Sequence, residues 1–349
     1  MSFLTRFKVC LLAIFILFYH QTLAFSFSFK QAERSYIQVV GSSTVYPFTA
    51  VIAETFGRNT NYRTPIVEAT GTGGGFKLFC LGLGYGYPDF SNASRPIKQS
   101  EVKKCAENGV KDITEVKIGY DGIVLANSKL GQKFNLKKEE IFLALADKVP
   151  DQNGNLVNNF YNKWSEINPK LPNIEIAIYG PPPTSGTRDA FVELLMEDVC
   201  KSMTAFKINY PNDKKRQKIC HLIRSDNKFI EAGENDNLIV KKLKSNKDAF
   251  GIFGFSFLQE NQDLIQASDI DGVAPSFDSI ISGSYKVSRP LYIYYKSENL
   301  DLIPGMREFI KEIISNNTIG QDGYLLQKGL IPLSDWETKK MRDKIMKTL

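Results

Sequence analysis

Two apolar rhythms alternate along this chain. Short apolar-rich runs at 37–40, 65–69, 89–93, 114–118, 122–126 and 174–179 read as strands. Between them, apolar residues return at helical spacing, as at Phe48, Val51, Ile52 and Phe56. The same helical rhythm predicts helices at 101–107, 137–145, 190–196, 237–243, 305–314 and 336–347. Further strands are expected at 250–257 and at the aromatic run 290–295. Strand followed by helix, repeated through the first part, is the pattern of a parallel α/β sheet. Trp164 is expected in a core, and the polar run 151–155 on a surface turn.

The junctions carry the chemistry. After the first strand comes Gly41-Ser42-Ser43-Thr44-Val45-Tyr46-Pro47, and after the second comes Thr70-Gly71-Thr72-Gly73-Gly74-Gly75. After the run 174–179 comes Gly180-Pro181-Pro182-Pro183-Thr184-Ser185-Gly186-Thr187-Arg188-Asp189-Ala190-Phe191. Each feeds a helix N-terminus, where free backbone N–H groups and the helix dipole favour an anion. Hydroxyls add donors, glycines allow close backbone approach, and Arg188 adds a permanent cation. A single turn of this kind is equally an ordinary N-cap with a surface arginine. Three of them in an open α/β sheet gather at the carboxyl ends of strands, where ligands bind, and describe a site for a small tetrahedral oxyanion. The glycine turn lacks the Gly-Lys-Ser/Thr ending of a phosphate-binding P-loop and the spacing of a dinucleotide site.

The N-terminus reads as a leader. Arg6 and Lys8 precede an apolar core at 9–19, and Thr22-Leu23-Ala24 resembles a cleavage site, so residues 1–24 are expected to be a secretory signal peptide. Cys10 lies inside that apolar core without a lipid-attachment motif. Later apolar segments fall short of the roughly 20 residues a membrane span needs. The formal charge of +6 loses two units with the leader, and the mildly basic remainder suits a binder of small anions. It is too weak to argue for nucleic acid, for which no motif is present. The basic stretch 201–218 reads as a solvated face, with a docking surface as the minority alternative. Four cysteines remain in two local pairs, predicting disulfides Cys80–Cys105 and Cys200–Cys220 in an oxidising compartment. Each closes a loop worth roughly 3 kcal/mol in the chain-entropy account. A zinc site is the rival, disfavoured by the absence of C-x-x-C spacing and by His221 being the one histidine after the leader.

Several motifs together resemble the periplasmic phosphate-binding protein of the phosphate ABC transporter. They are the 41–47 turn, Asn92-Ala93-Ser94-Arg95-Pro96-Ile97, Gly119-Tyr120-Asp121-Gly122-Ile123, the 184–191 turn and Ser288-Arg289-Pro290-Leu291-Tyr292-Ile293-Tyr294. The resemblance covers nearly all of the mature chain. It implies a type II periplasmic binding fold of class α/β, with two lobes, each a mixed sheet flanked by helices, and the ligand in the interlobe cleft. Residues 25–122 and 288–349 would form a discontinuous lobe 1 and residues 123–287 lobe 2, with the chain crossing near 121–126 and 286–292. The implied function is capture of inorganic phosphate in the periplasm and delivery to the ABC-type permease of the inner membrane. The protein would be a monomer, without cofactor, metal, nucleic-acid partner or enzymatic activity.

Carried over by position, the resemblance implies phosphate donors at Ser43, Thr44 and the Val45 amide from one lobe. Thr72 stands where the family commonly has serine, and Ser94 follows the next strand. Ser185, Gly186 and Thr187 would donate from the other lobe, with Arg188 as charge partner. Well-known members end the third strand in Ala-Ser-Asp, and that aspartate accepts the phosphate proton. Here Arg95 follows Ala93-Ser94, so Asp121 is the candidate replacement, with a plain turn residue before Gly122 as the equal alternative. The arginine that precedes Ser-Gly-Thr in some members is replaced by prolines, and Arg188 and Arg95 are the candidates for its charge. Two other readings stand beside this one. The ligand could be another tetrahedral oxyanion such as sulfate or molybdate. A serine-dependent phosphatase using Ser43 or Ser185 would need His221 as its base, and no nucleophile-elbow motif accompanies either serine.

Overall fold

The computed structural model describes residues 34–183, 185–233 and 236–349. The expected leader at 1–24, with Cys10, and Thr184 of the third turn lie outside the described residues. The strands that position the cleft are β1 (Gln38–Gly41), β2 (Ile66–Ala69), β3 (Phe90–Ala93), β4 (Ile113–Ser128), β5 (Ile178–Gly180), β6 (Phe229–Glu231), β7 (Phe250–Gly254), β8 (Ile265–Ala267) and β9 (Ser288–Lys296). They form a nine-stranded mixed sheet in the order β2-β1-β3-β9-β4-β7-β5-β6, with β8 also on β4. The parallel pairs β1–β2 and β1–β3 follow the strand–helix alternation seen in the sequence.

One strand holds the two halves together. Along its first part β4 pairs antiparallel with β9, from Lys296 opposite Ile113 to Ser288 opposite Gly122. Beyond that it pairs antiparallel with β7, from Gly254 opposite Ile123 to Phe250 opposite Asn127. The cores divide at the same place. Val116 and Ile118 pack with Ile52, Phe90, Ile293 and Phe309. Ile123 to Ala126 pack with Phe142, Trp164, Ile178, Phe191 and Phe250. A smaller cluster of Phe76, Phe79, Tyr292 and Tyr294 surrounds the Cys80–Cys105 bridge. Trp164 is fully buried, as its pattern predicted.

Both expected disulfides are formed, Cys80–Cys105 with sulfurs 1.94 Å apart and Cys200–Cys220 at 1.98 Å. The zinc alternative is thereby displaced. The basic stretch is exposed along its second helix, Asp213–Cys220, whose Cys220 alone is buried.

Three expectations are corrected. The segments 114–118 and 122–126 are one strand rather than two. The intervening residues stay extended because β9 runs past them and Tyr120 exchanges hydrogen bonds with Ile331 at 2.8 and 3.0 Å. The strand expected over 250–257 stops at Gly254, and Phe255–Glu260 is a helix that buries Phe255 and Leu258, three residues apart on one face. The run 174–179 enters the ladder only at Ile178, its earlier part making an isolated bridge between Glu175 and Lys163.

Candidate functional site

The first turn leaves β1 at Gly41 and enters helix α1 (Tyr46–Asn59). Gly41 has φ +134°, and a Cβ there would lie 2.2 Å from the Asn92 carbonyl oxygen, so only glycine lets β1 turn beside β3. The second turn enters helix α2 (Thr72–Phe79). The third leaves β5 and enters helix α3 (Gly186–Phe191), whose turns continue as a π-helical stretch over Val192–Glu197 and an α-helix over Asp198–Ser202. Ser185 caps α3, its hydroxyl oxygen accepting from the Thr187 N–H at 3.2 Å.

Turns one and three meet. A Cβ on Gly186 would lie 3.3 Å from Thr44 Cα, a tight contact that the absent side chain avoids. Ser43, Thr44, Asp121, Ser185, Gly186 and Thr187 line one cleft of about 490 Å³, together with Tyr46, Phe48, Ser256, Phe257, Gln327 and Lys328. The Ser43 hydroxyl donates across it to Asp189. Val45 sits fully buried at the head of α1, and its side chain belongs to the core. Asp121 is half-buried, with Oδ2 shielded from solvent; desolvation pushes its carboxyl above the usual range, while the nearby Arg289 guanidinium and the Gly122 N–H pull it down. Its Oδ2 has no hydrogen-bond partner among the described residues.

The sequence reading missed Arg289 as a site residue. Strand β9 sets it directly opposite Asp121, and only 7% of it is exposed. One of its terminal nitrogens donates to Thr44 Oγ1 at 2.6 Å and the other to Glu193. Its Nε is buried without a partner among the described residues. By accepting from a guanidinium, Thr44 is left to donate its own proton elsewhere. The signal was present in the Ser-Arg-Pro motif at 288–290, an arginine within a strongly apolar strand.

The remaining residues of the expected site lie elsewhere. Thr72, Ser94 and Arg95 line a second cleft together with Glu193, Glu197, Lys201, Arg216 and Arg289. There the Thr72 and Ser94 hydroxyls bond each other at 3.0 Å, and the Ser94 N–H donates to Thr72 Oγ1 at 3.2 Å. Arg95 is committed to Glu101 through two hydrogen bonds of 2.9 and 2.8 Å and stacks over Phe76. Arg188 does not line either cleft. Its guanidinium lies 4.7 Å over the Phe229 ring and reaches the Pro181 carbonyl at 3.4 Å. Burial lowers its proton affinity, with the charges of Glu231 and Asp189 opposing that shift. Arg188 is thus turned to an aromatic ring and Arg95 is held in an ion pair, and neither lines the first cleft. His221 bonds Glu197 at 2.7 Å and lines neither cleft.

Around the first cleft the described residues offer hydroxyls, backbone N–H groups and the Asp121 carboxyl, and the buried Arg289 guanidinium reaches that cleft through Thr44, which is chemistry for holding an oxyanion with a proton. The described residues contain no cluster of three or more metal-binding side chains.

Comparison with known proteins follows the same line. The PBP superfamily domain matches residues 29–317. The phosphate-binding protein PstS of Staphylococcus saprophyticus is 31% identical over 282 residues, covering 79% of this chain and 75% of that protein. The protein SphX of Synechococcus elongatus is 28% identical over 291 residues, covering 82% and 75%. Among solved structures, a possible phosphate binding protein from Planctomyces limnophilus superposes with a TM-score of 0.72 at 27% identity, covering 90% of this chain and 98% of that one.

Proposed function

This chain belongs to the PBP superfamily, as a phosphate-binding substrate-binding protein of the ABC transporter kind, and from that premise we propose how it takes up its ligand. It captures inorganic phosphate and delivers it to an ABC-type permease of the inner membrane; the family binds and transports, and is not enzymatic. The observation that carries the mechanism is the meeting of the 43–45 and 185–187 turns on one cleft beside Asp121 and Arg289.

In this reading Ser43, Thr44, the Val45 amide, Ser185, the Gly186 amide and Thr187 donate to phosphate oxygens. Arg289 supplies the charge that Arg188 and Arg95 were expected to supply. Asp121 is the acceptor of the phosphate proton, supported by its buried and partnerless Oδ2. Sulfate brings no such proton, so a carboxylate there would meet it as a like charge.

In this proposal lobe 1 takes the described residues up to 122 together with 288–349, and lobe 2 the described residues of 123–287. The change of β4 partners between Gly122 and Ile123 and the change of core at the same place support this division. Motion about the crossing strands β4 and β9 would open and close the cleft, a hinge of the kind that couples binding to recognition by a partner. Residues 1–24 act as a cleaved export signal, the mature chain works as a periplasmic monomer, and it takes no nucleic acid. Among the described residues no helix is long and apolar enough to cross a membrane.

The test is calorimetric titration of the purified chain with phosphate and with sulfate at two pH values. Phosphate binding at ~1 μM or tighter, near −8 kcal/mol, without a sulfate response is expected. Equal affinity for both anions would sink the assignment of phosphate specificity.

A further inference from the structure

Building on that reading of the cleft, we propose that Asp189 and Glu193 are resident competitors for the anion's own donors, so that the site admits only an oxyanion that accepts hydrogen bonds better than a carboxylate does. The two residues are four apart on the helix that begins at Gly186, and both reach side chains of the opposite wall. Asp189 accepts from Ser43, and Glu193 accepts from Arg289.

A serine hydroxyl has a single proton to give. The Ser43 proton goes to Asp189, so an anion receives it only by taking the place of that carboxylate. Arg289 has more donors, but its charge is shared between Glu193 and Thr44. An anion at the cleft therefore exchanges one acceptor for another at Ser43, and draws Arg289 away from Glu193.

Such an exchange is decided by basicity. Aspartate and glutamate carboxylates take up a proton near pH ~4. A phosphoryl dianion does so near pH ~6 and is the stronger acceptor. Sulfate, the conjugate base of hydrogensulfate, a stronger acid than a carboxylic acid, is a weaker acceptor than either. Ser43 thus gains by leaving Asp189 for hydrogen phosphate and loses by leaving it for sulfate. The displaced carboxylates also stay close by, and their charge adds a penalty that a weak acceptor does not overcome.

Displacement leaves neither carboxylate stranded. Asp189 retains the attraction of the neighbouring Arg188 guanidinium. Glu193 has 45% of its side chain exposed and can be taken up by water. This filter is separate from a proton acceptor at Asp121, because it acts through the donors rather than through the ligand's proton.

The test compares the natural chain with Asp189→Asn, Glu193→Gln and the double variant, titrated with inorganic phosphate and with sodium sulfate at one pH and ionic strength. The double variant is expected to bind sulfate ~10-fold or more tighter than the natural chain, with phosphate changing less, so the preference narrows. Each single variant is expected to give ~3-fold, which keeps the test sound if the double variant fails to fold. An unchanged sulfate response, or equal loss of both anions, would overturn the filter; equal loss would make the carboxylates positioning groups for Ser43 and Arg289. The natural chain's phosphate titration judges the proposed function separately. If it binds no phosphate that reading falls, while the filter stands when the variants gain anion binding and falls when they do not.

Discussion

Arg188 and Arg289 are buried almost equally, at 8% and 7% exposure, and do different work. Arg188 follows the Ser-Gly-Thr turn directly, on the helix that presents Ser185 to Thr187, yet its guanidinium faces the Phe229 ring and the Pro181 carbonyl. Arg289 comes from a strand far along the chain, and it touches Thr44 and Glu193 and faces Asp121. Sequence proximity to a ligand turn is therefore a poor guide to which cation serves it. In a helix the next residue points about 100° away, so the neighbour of a donor looks elsewhere. In a strand alternate side chains share a face, and β9 turns Arg289 to Thr44 and Glu193.

The largest effect should come from the strand arginine. Arg289→Ala is expected to weaken phosphate binding ~100-fold or more, about 3 kcal/mol, because it removes a charge-assisted donor and leaves Asp121 and the anion without a counter-charge. Calorimetry reads it directly. Near-native affinity would return the charge role to Arg188 or Arg95 and collapse the contrast.

Arg188→Ala should show the reverse profile. Loss of the cation–π contact and of the packed side-chain stem is expected to lower stability by ~2 kcal/mol, a few degrees in the thermal midpoint. Phosphate affinity should stay within ~3-fold, since the guanidinium lines neither of the two clefts described. A variant of native stability but without phosphate binding would show that Arg188 swings into the cleft to meet its ligand.

Most of the frame was legible before the structure. Strand–helix alternation located β1 to β3 and their helices, cysteine spacing located both disulfides, and the turn residues located two walls of the cleft. What escaped was register and side-chain direction. Thr44 and Arg289 are 245 residues apart, and their contact follows from β9 pairing with β4, which no local pattern encodes. The glycine-rich turn was rightly read as a helix entry, but Thr72 turns to Ser94 and a different cleft. Asp121 was read as the proton acceptor or, equally, as a turn residue linking two strands, and the continuous strand β4 sets it across from Arg289. The π-helical stretch, which shapes the side of the helix bearing Glu193 and Glu197, has no periodicity to announce it.

That helix extends the comparison to carboxylates. Glu193 faces Arg289, whereas Glu197, four positions on, accepts from His221 at 2.7 Å and Gln217 at 3.0 Å and pairs with Lys201. Burial alone would raise the Glu197 carboxyl, but the hydrogen bonds from His221, Lys201 and Gln217 outweigh it and hold the group at about 2. A folded value below the unfolded one means the stabilisation is fully present above pH 4.5 and is lost as pH falls towards 2. Lys201 is half-exposed, so solvent screens its share, and the stability that Glu197 contributes should fall by ~1 kcal/mol on acidification to pH ~3. Glu197→Gln is expected to be less stable than the natural chain at neutral pH and to converge with it in acid. Chemical denaturation of both chains across that window reads the difference. A constant gap at every pH would mean that Glu197 acts through packing rather than charge. A variant that also changed phosphate affinity would join the two carboxylates into one unit and erase the division between cleft and support.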